Sequence, residues 1–147
     1  MRIRITKVFH FEMAHALEGY DGACRHIHGH SYRLEVTVSG TPEKNSRSPK
    51  LGMVMDFSDI KAIVNREIVD VFDHALVVKQ GYEKQLLCKE IDDEMKVVTT
   101  PYQPTSEMLI CHYVDLIQDS LPDKIQLEQL RLYETVSSYA EWKREDQ

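Results

Sequence analysis

Cys24-Arg25-His26-Ile27-His28-Gly29-His30-Ser31-Tyr32-Arg33-Leu34-Glu35-Val36-Thr37-Val38-Ser39 does two things at once. Its second half alternates, with Tyr32, Leu34, Val36 and Val38 on one side of an extended chain and Arg33, Glu35 and Thr37 on the other. That period of two predicts a half-buried strand from about His30 to Ser39. Its first half packs a thiol and three imidazoles into seven residues. Carried backwards, the strand phase puts His28 and His30 on the same side as Tyr32 and Leu34. Five of the seven histidines (His10, His15, His26, His28 and His30) fall within the first thirty residues, a clustering that calls for a chemical reason.

Upstream, Ile3, Ile5, Phe9, Phe11 and Met13 alternate with Arg2, Arg4, Thr6, His10 and Glu12, which predicts a first strand over Arg2 to Met13. Ala14-His15-Ala16 follows, then a turn-forming loop, Glu18-Gly19-Tyr20-Asp21-Gly22. His15 therefore approaches His28 and His30 from the neighbouring strand. Three protein ligands with a fourth position open is the catalytic zinc pattern; a closed set of four is structural. His15, His28 and His30 are the metal candidates, and His26 is set aside. Cys24 has two readings, a fourth ligand or a free thiolate acting as base or nucleophile beside the ion.

Downstream, a polar turn covers 40–50, and Leu51-Gly52-Met53-Val54-Met55 suggests antiparallel pairing after it. Ser58 is the expected N-cap of a first helix with Phe57, Ile60, Ile63, Val64, Ile68, Val71 and Phe72 on its inner stripe. Asp73-His74 stands at its end, either as a helix cap or as a charge-paired proton shuttle. Over 76–103 the pattern is weak: a short helix within Tyr82–Met95 carrying the acidic run Glu90 to Glu94, then a short strand Lys96-Val97-Val98-Thr99. A second helix starts after Pro104, with Thr105 or Ser106 as N-cap, and Pro122 ends it. A third strand puts Leu130, Leu132, Glu134 and Val136 on one face, and a fourth lies near Ser137–Trp142. Glu134 is the odd member, since a carboxylate among apolar neighbours needs a partner. Arg131 or Arg33 would serve, as would a ligand with two N–H donors, which a carboxylate accepts bidentately.

The 147 residues fit a single domain over 1–147, with the 76–103 segment as an extension. The hydrophobic share of 42% and charged share of 29% are ordinary for a globular protein. A net charge of −6 argues against non-specific nucleic-acid binding and a polybasic membrane surface. No apolar run approaches the ~20 residues a bilayer span needs, so the cytoplasm is the expected location. Three cysteines (Cys24, Cys88, Cys111) in no repeated spacing argue against a disulfide framework. Strand pairs flanking two helices predict an α+β fold, with helices on one face of a sheet whose open edges favour oligomers.

Six motifs carry a resemblance. Phe9-His10-Phe11-Glu12-Met13-Ala14-His15, the Cys-x3-His-Gly-His block, Gly52-Met53-Val54-Met55-Asp56-Phe57, Asp73-His74, Pro104-Thr105-Ser106-Glu107 and Tyr133-Glu134-Thr135 occur in that order. Together they resemble the 6-pyruvoyl-tetrahydropterin synthase superfamily over about residues 5 to 140. The short Cys24-to-His28 gap and the Pro-Thr-Ser-Glu box are similar to its 6-carboxy-tetrahydropterin synthases of queuosine biosynthesis. The resemblance implies the tunnelling (T-) fold, a ββααββ antiparallel sheet with two helices on one face, closing as a trimeric barrel that pairs to a hexamer. It implies a zinc enzyme converting 7,8-dihydroneopterin triphosphate to 6-carboxy-5,6,7,8-tetrahydropterin, acetaldehyde and triphosphate. It assigns zinc to His15, His28 and His30, catalysis to Cys24, Asp73, His74 and Glu134, and pterin anchoring to Glu134, with Thr105 and Ser106 at the pocket. The alternatives are a pyruvoyl-type synthase and a non-catalytic zinc- or pterin-binding oligomeric module.

Overall fold

The central pair of strands forms as the alternation dictates. In the computed structural model, which describes residues 1–87 and 95–147, β1 (Ile3–Ala16) runs antiparallel to β2 (His28–Gly40). Their register runs unbroken from Ile3 opposite Gly40 to His15 opposite His28. Tyr32, Leu34, Val36 and Val38 are fully buried on one face. Phe9, Phe11 and Met13 of β1 join them.

Two helical stretches cover that face. α1 (Phe57–Val64) continues through a π-helical turn (Asn65–Val69) into α2 (Asp70–Phe72). Its buried residues are Ile60, Val64, Ile68 and Phe72, a strict spacing of four. Four residues overshoot the 3.6 of an α-helical turn, so such a stripe drifts around the axis. The wider π turn takes back part of that drift and keeps Ile68 and Phe72 on the core. Phe57 and Val71, expected on the stripe, are exposed. The N-cap is Asp56, whose carboxylate accepts from the Ser58 N–H at 2.8 Å, so the cap lies two residues before the expected Ser58.

α3 (Tyr82–Leu87) is short; residues 88–94 of the expected 82–95 helix, with Cys88 and the whole acidic run, lie outside the described residues, and Met95 is a bend. α4 (Ser106–Ser120) buries Leu109, Ile110, Tyr113, Val114 and Ile117, and Thr105 caps it as expected. β5 (Gln126–Thr135) and β6 (Ser138–Lys143) extend the sheet antiparallel from β2. Val136 falls in the turn between them and is fully exposed, so it does not share the inner face of β5.

The sheet differs from the expected antiparallel one in two respects. β3 (Ala75–Lys79) joins β1 in parallel, and β4 (Val97–Thr100) joins β3 in parallel, giving a mixed order β4-β3-β1-β2-β5-β6. The four strands read from the alternation do pair antiparallel. β3 escapes that reading because it is buried on both faces. Ala75 and Val77 enter the main core, while Leu76 and Val78 enter a second cluster across the sheet with Ala16, backed by Tyr82 and Leu86 of α3. A strand buried on both sides is a continuous apolar run without period two. Leu51–Met55 forms turns and bends outside the sheet, tied to the loop after β2 through the Glu43 N–H to Met53 carbonyl bond of 2.9 Å.

Leu130 is fully buried at the centre of β5. Leu130→Ala is expected to cost about 2–5 kcal/mol in a urea titration. The Tyr113 hydroxyl is buried with no hydrogen-bond partner among the described residues. Tyr113→Phe should therefore leave stability unchanged or raise it; a loss above ~1 kcal/mol would show that the hydroxyl is satisfied.

Candidate metal centre

The strand register places the site. His15 stands opposite His28 and Met13 opposite His30 at the end of the β1/β2 ladder. The two-residue period then turns His28 and His30 to one face beside Tyr32. The ring centroids of His28 and His30 lie 4.5 and 5.3 Å from that of His15. The Nε2 atoms of His15 and His28 are 3.0 Å apart. Glu134 arrives from β5, where the pairing with β6 shifts register between Tyr133 and Thr135 and leaves Glu134 as the unpaired residue of a bulge. Bulges re-aim side chains. Here the bulge brings Oε1 to 3.2 Å from His15 Nε2 and 3.1 Å from His30 Nε2. One ligand atom from each of His15, His28, His30 and Glu134 lies within 4.8 Å of all the others.

The chemistry of this donor set follows from its outer hydrogen bonds. His15 Nδ1 lies 2.8 Å from the Pro104 carbonyl, and His28 Nδ1 lies 2.8 Å from the His26 carbonyl. A carbonyl oxygen only accepts, so each Nδ1 carries the proton and each neutral ring turns a bare Nε2 inward. Two bare nitrogens and a carboxylate oxygen at about 3 Å repel one another. His30 Nε2 adds a third nitrogen, buried and without an aligned hydrogen bond. One extra proton satisfies only one or two of these contacts. A divalent cation satisfies all four, and backbone carbonyls behind ligating histidines are the usual outer support of such a centre. The group could hold a metal ion.

Glu134 responds to positive charge in this group: a hydrogen bond from the His15 ring, which requires a proton on Nε2, holds its carboxyl below the usual range against the opposing pull of burial, with His30 adding to the effect. Burial pushes the His30 imidazole down, partly countered by Glu134, which favours the neutral ring that a metal requires. Glu134 does not pair with Arg131 or Arg33. Arg131 is engaged by Glu141 at 2.5 Å and Glu35 at 3.6 Å, and Arg33 by Glu35 and the Tyr133 ring.

The remaining candidates divide. Ser106 is drawn in, donating its hydroxyl to Glu134 Oε2 at 3.3 Å. Thr105 spends its hydroxyl as the α4 cap, accepting from the Met108 N–H. Cys24 sits in a one-turn 3-10 helix (Ala23–Arg25) just before β2, half-buried and unpaired, and its sulfur is not among the four convergent atoms. His26 shares the even numbering of His28 and His30, so strand phase alone does not exclude it. It is excluded because β2 starts only at His28, which leaves the His26 ring exposed while its carbonyl supports His28. Pro104 and His26 serve through backbone oxygens, which no residue type announces.

Asp73 and His74 lie apart from the four-atom group. Asp73 accepts from the Glu12 N–H at 2.9 Å, and the His74 N–H donates to the Glu12 carbonyl at 2.6 Å, which clamps the end of α2 to β1. His74 has φ of 57°, the left-handed region, unique among the described non-glycine residues. Its side chain is 79% exposed, with Nε2 3.7 Å from Asp73 Oδ2. A cavity of about 380 Å³ is walled by Glu12, Ser31, His74, Leu76 and Met95 and reaches His30.

The profile of the family described as 6-pyruvoyl tetrahydropterin synthase matches residues 4–145. A Haemophilus influenzae protein named 6-carboxy-5,6,7,8-tetrahydropterin synthase is 34% identical over 141 residues, covering 95% of this chain and 97% of its own. A Rickettsia bellii protein of the same name is 32% identical over 142 residues, covering 95% and 99%. Among solved structures, an uncharacterized protein from Wolinella succinogenes superposes with a TM-score of 0.80 at 19% identity, covering 98% of this chain and 99% of that one. The 6-pyruvoyl tetrahydropterin synthase of Caenorhabditis elegans superposes at 0.70 with 22% identity, covering 97% and 96%. The T-fold expected from the motifs is thus the fold observed, and the chain belongs to the 6-pyruvoyl tetrahydropterin synthase family.

Proposed function

We propose that this protein is a zinc-dependent 6-carboxy-5,6,7,8-tetrahydropterin synthase of queuosine biosynthesis. It takes 7,8-dihydroneopterin triphosphate and water to the carboxypterin, acetaldehyde and triphosphate. The observation that carries the reading is the convergence of His15, His28 and His30 with Glu134, His15 and His28 each backed by a carbonyl that turns an Nε2 lone pair inward. The relatives' names favour the carboxy over the pyruvoyl product. The pyruvoyl reading stays as the second because a structural neighbour carries that name.

His15, His28 and His30 would hold a zinc ion, which would supply Lewis-acid polarisation to the substrate's side-chain oxygens and so make the adjacent C–H more acidic. The residues do the rest. Cys24, close upstream of the ligands and beside Arg25, accepts the side-chain proton as thiolate. His74, paired with Asp73, acts as the complementary acid or base. Glu134 accepts the pterin's 2-amino and ring N–H bidentately. Ser106 steadies its second oxygen, and Thr105 caps the start of α4, next to the Pro104 carbonyl that holds His15.

Asp73 and His74, which lie outside the four-atom group, complete a site together with a neighbouring copy. β4 and β6 end the sheet as edges, which suits the trimeric barrel and hexamer that the family resemblance implies. Residues 1–147 work as one domain in the cytoplasm. No helix among the described residues is long and apolar enough to cross a membrane.

Incubation with 7,8-dihydroneopterin triphosphate should release acetaldehyde and a carboxypterin by mass spectrometry; a six-position pyruvoyl product would sink the carboxy assignment. Cys24→Ala should keep its metal by atomic emission while turnover falls roughly 10²–10⁴-fold. Loss of metal in that variant would make Cys24 a ligand and favour a non-catalytic zinc or pterin module.

A further inference from the structure

Glu134 has two possible duties that exclude each other. As a pterin anchor it must offer both carboxylate oxygens to two N–H donors. Yet Oε1 lies 3.2 and 3.1 Å from the Nε2 atoms of His15 and His30, inside the group whose donor set calls for a cation. Oε2 is meanwhile held by the Ser106 hydroxyl at 3.3 Å. The carboxylate can therefore face the histidine centre or a pterin edge, and not both.

We propose that Glu134 is a fourth ligand of the metal in the substrate-free protein and leaves it when a pterin enters, so that one carboxylate serves metal and substrate in turn. Three observations support the exchange. Glu134 is the unpaired residue of the β5/β6 bulge, so no ladder partner fixes its backbone direction. Its side chain is 27% exposed, which leaves room to rotate. The Ser106 bond is long enough to break and reform without disturbing α4, because Thr105 carries the cap. In the exchange Glu134 gives up one coordinate bond and gains two N–H···O bonds, and no proton is transferred. The fourth position opens only when a pterin is seated, which couples access to the centre with recognition of the ring. This inference rests on the metal reading of the centre.

The test uses the full chain loaded with Co(II), whose visible absorption reports its ligand set, titrated with 6-methylpterin, which has the pterin ring edge but no side-chain oxygen to offer the metal. Addition of 6-methylpterin to the wild type should shift the cobalt bands toward those of Glu134→Gln and Glu134→Ala. Both variants should bind Co(II) at least roughly tenfold more weakly than the wild type, and 6-methylpterin should leave their spectra unchanged. Equal Co(II) affinity and identical spectra in wild type and variants would overturn the exchange while leaving the three-histidine centre standing. Binding of 6-methylpterin, followed by its own fluorescence, with no change in the wild-type cobalt bands would do the same. A wild type that takes up no Co(II) would overturn the centre and the exchange together.

Discussion

The contact between His15 Nδ1 and the Pro104 carbonyl, 2.8 Å long and fully buried, joins two parts of the fold and sets the chemistry of both. Geometrically it pins the end of β1 to the start of α4, where Thr105 caps the helix and Ser106 turns toward Glu134. Chemically it settles the tautomer. An acceptor-only oxygen behind Nδ1 leaves Nε2 bare, and that atom faces His28, His30 and Glu134. The same device recurs one strand over, with the His26 carbonyl behind His28. Two independent backbone oxygens thus load the centre with lone pairs, and a cation is the species that stabilises such an arrangement.

The sheet supplies the precision. An unbroken β1/β2 register makes His15 and His28 direct neighbours, so their approach follows from strand pairing and needs no loop conformation. Sites on regular elements hold their geometry better than sites on loops. The fourth group comes from an irregularity: the bulge at Glu134 turns a carboxylate inward at the point where β5 reaches the histidines. Below the centre, Tyr32 stacks on Phe11 and stands edge-on to His15 and His30, so the apolar core fixes the rings from behind.

Much of this was legible in residue order because alternation survives wherever one sheet face is polar. Tyr32 to Val38 declare β2, and Ile3 to Met13 declare β1. His15, His28 and His30 could be grouped from those phases alone. β3 was silent, since Leu76 and Val78 are buried as deeply as Ala75 and Val77 and the period vanishes. Glu134 stood out as a carboxylate in an apolar strand, but its bulge depends on how β6 pairs, which residue types do not encode. Asp73-His74 was visible as a pair. Its left-handed backbone and its place outside the histidine group go with the clamp on Glu12, whose N–H donates to the Asp73 carboxylate 61 residues on and whose carbonyl accepts the His74 N–H.

The central claim is that His15, His28 and His30 converge because they hold a metal. The most direct measurement is X-ray diffraction from crystals of the protein reconstituted with zinc, collected above and below the zinc edge. A single anomalous peak within about 2.0–2.1 Å of all three Nε2 atoms is the predicted result. No peak there, with hydrogen-bonded protons or water between the rings, would contradict it.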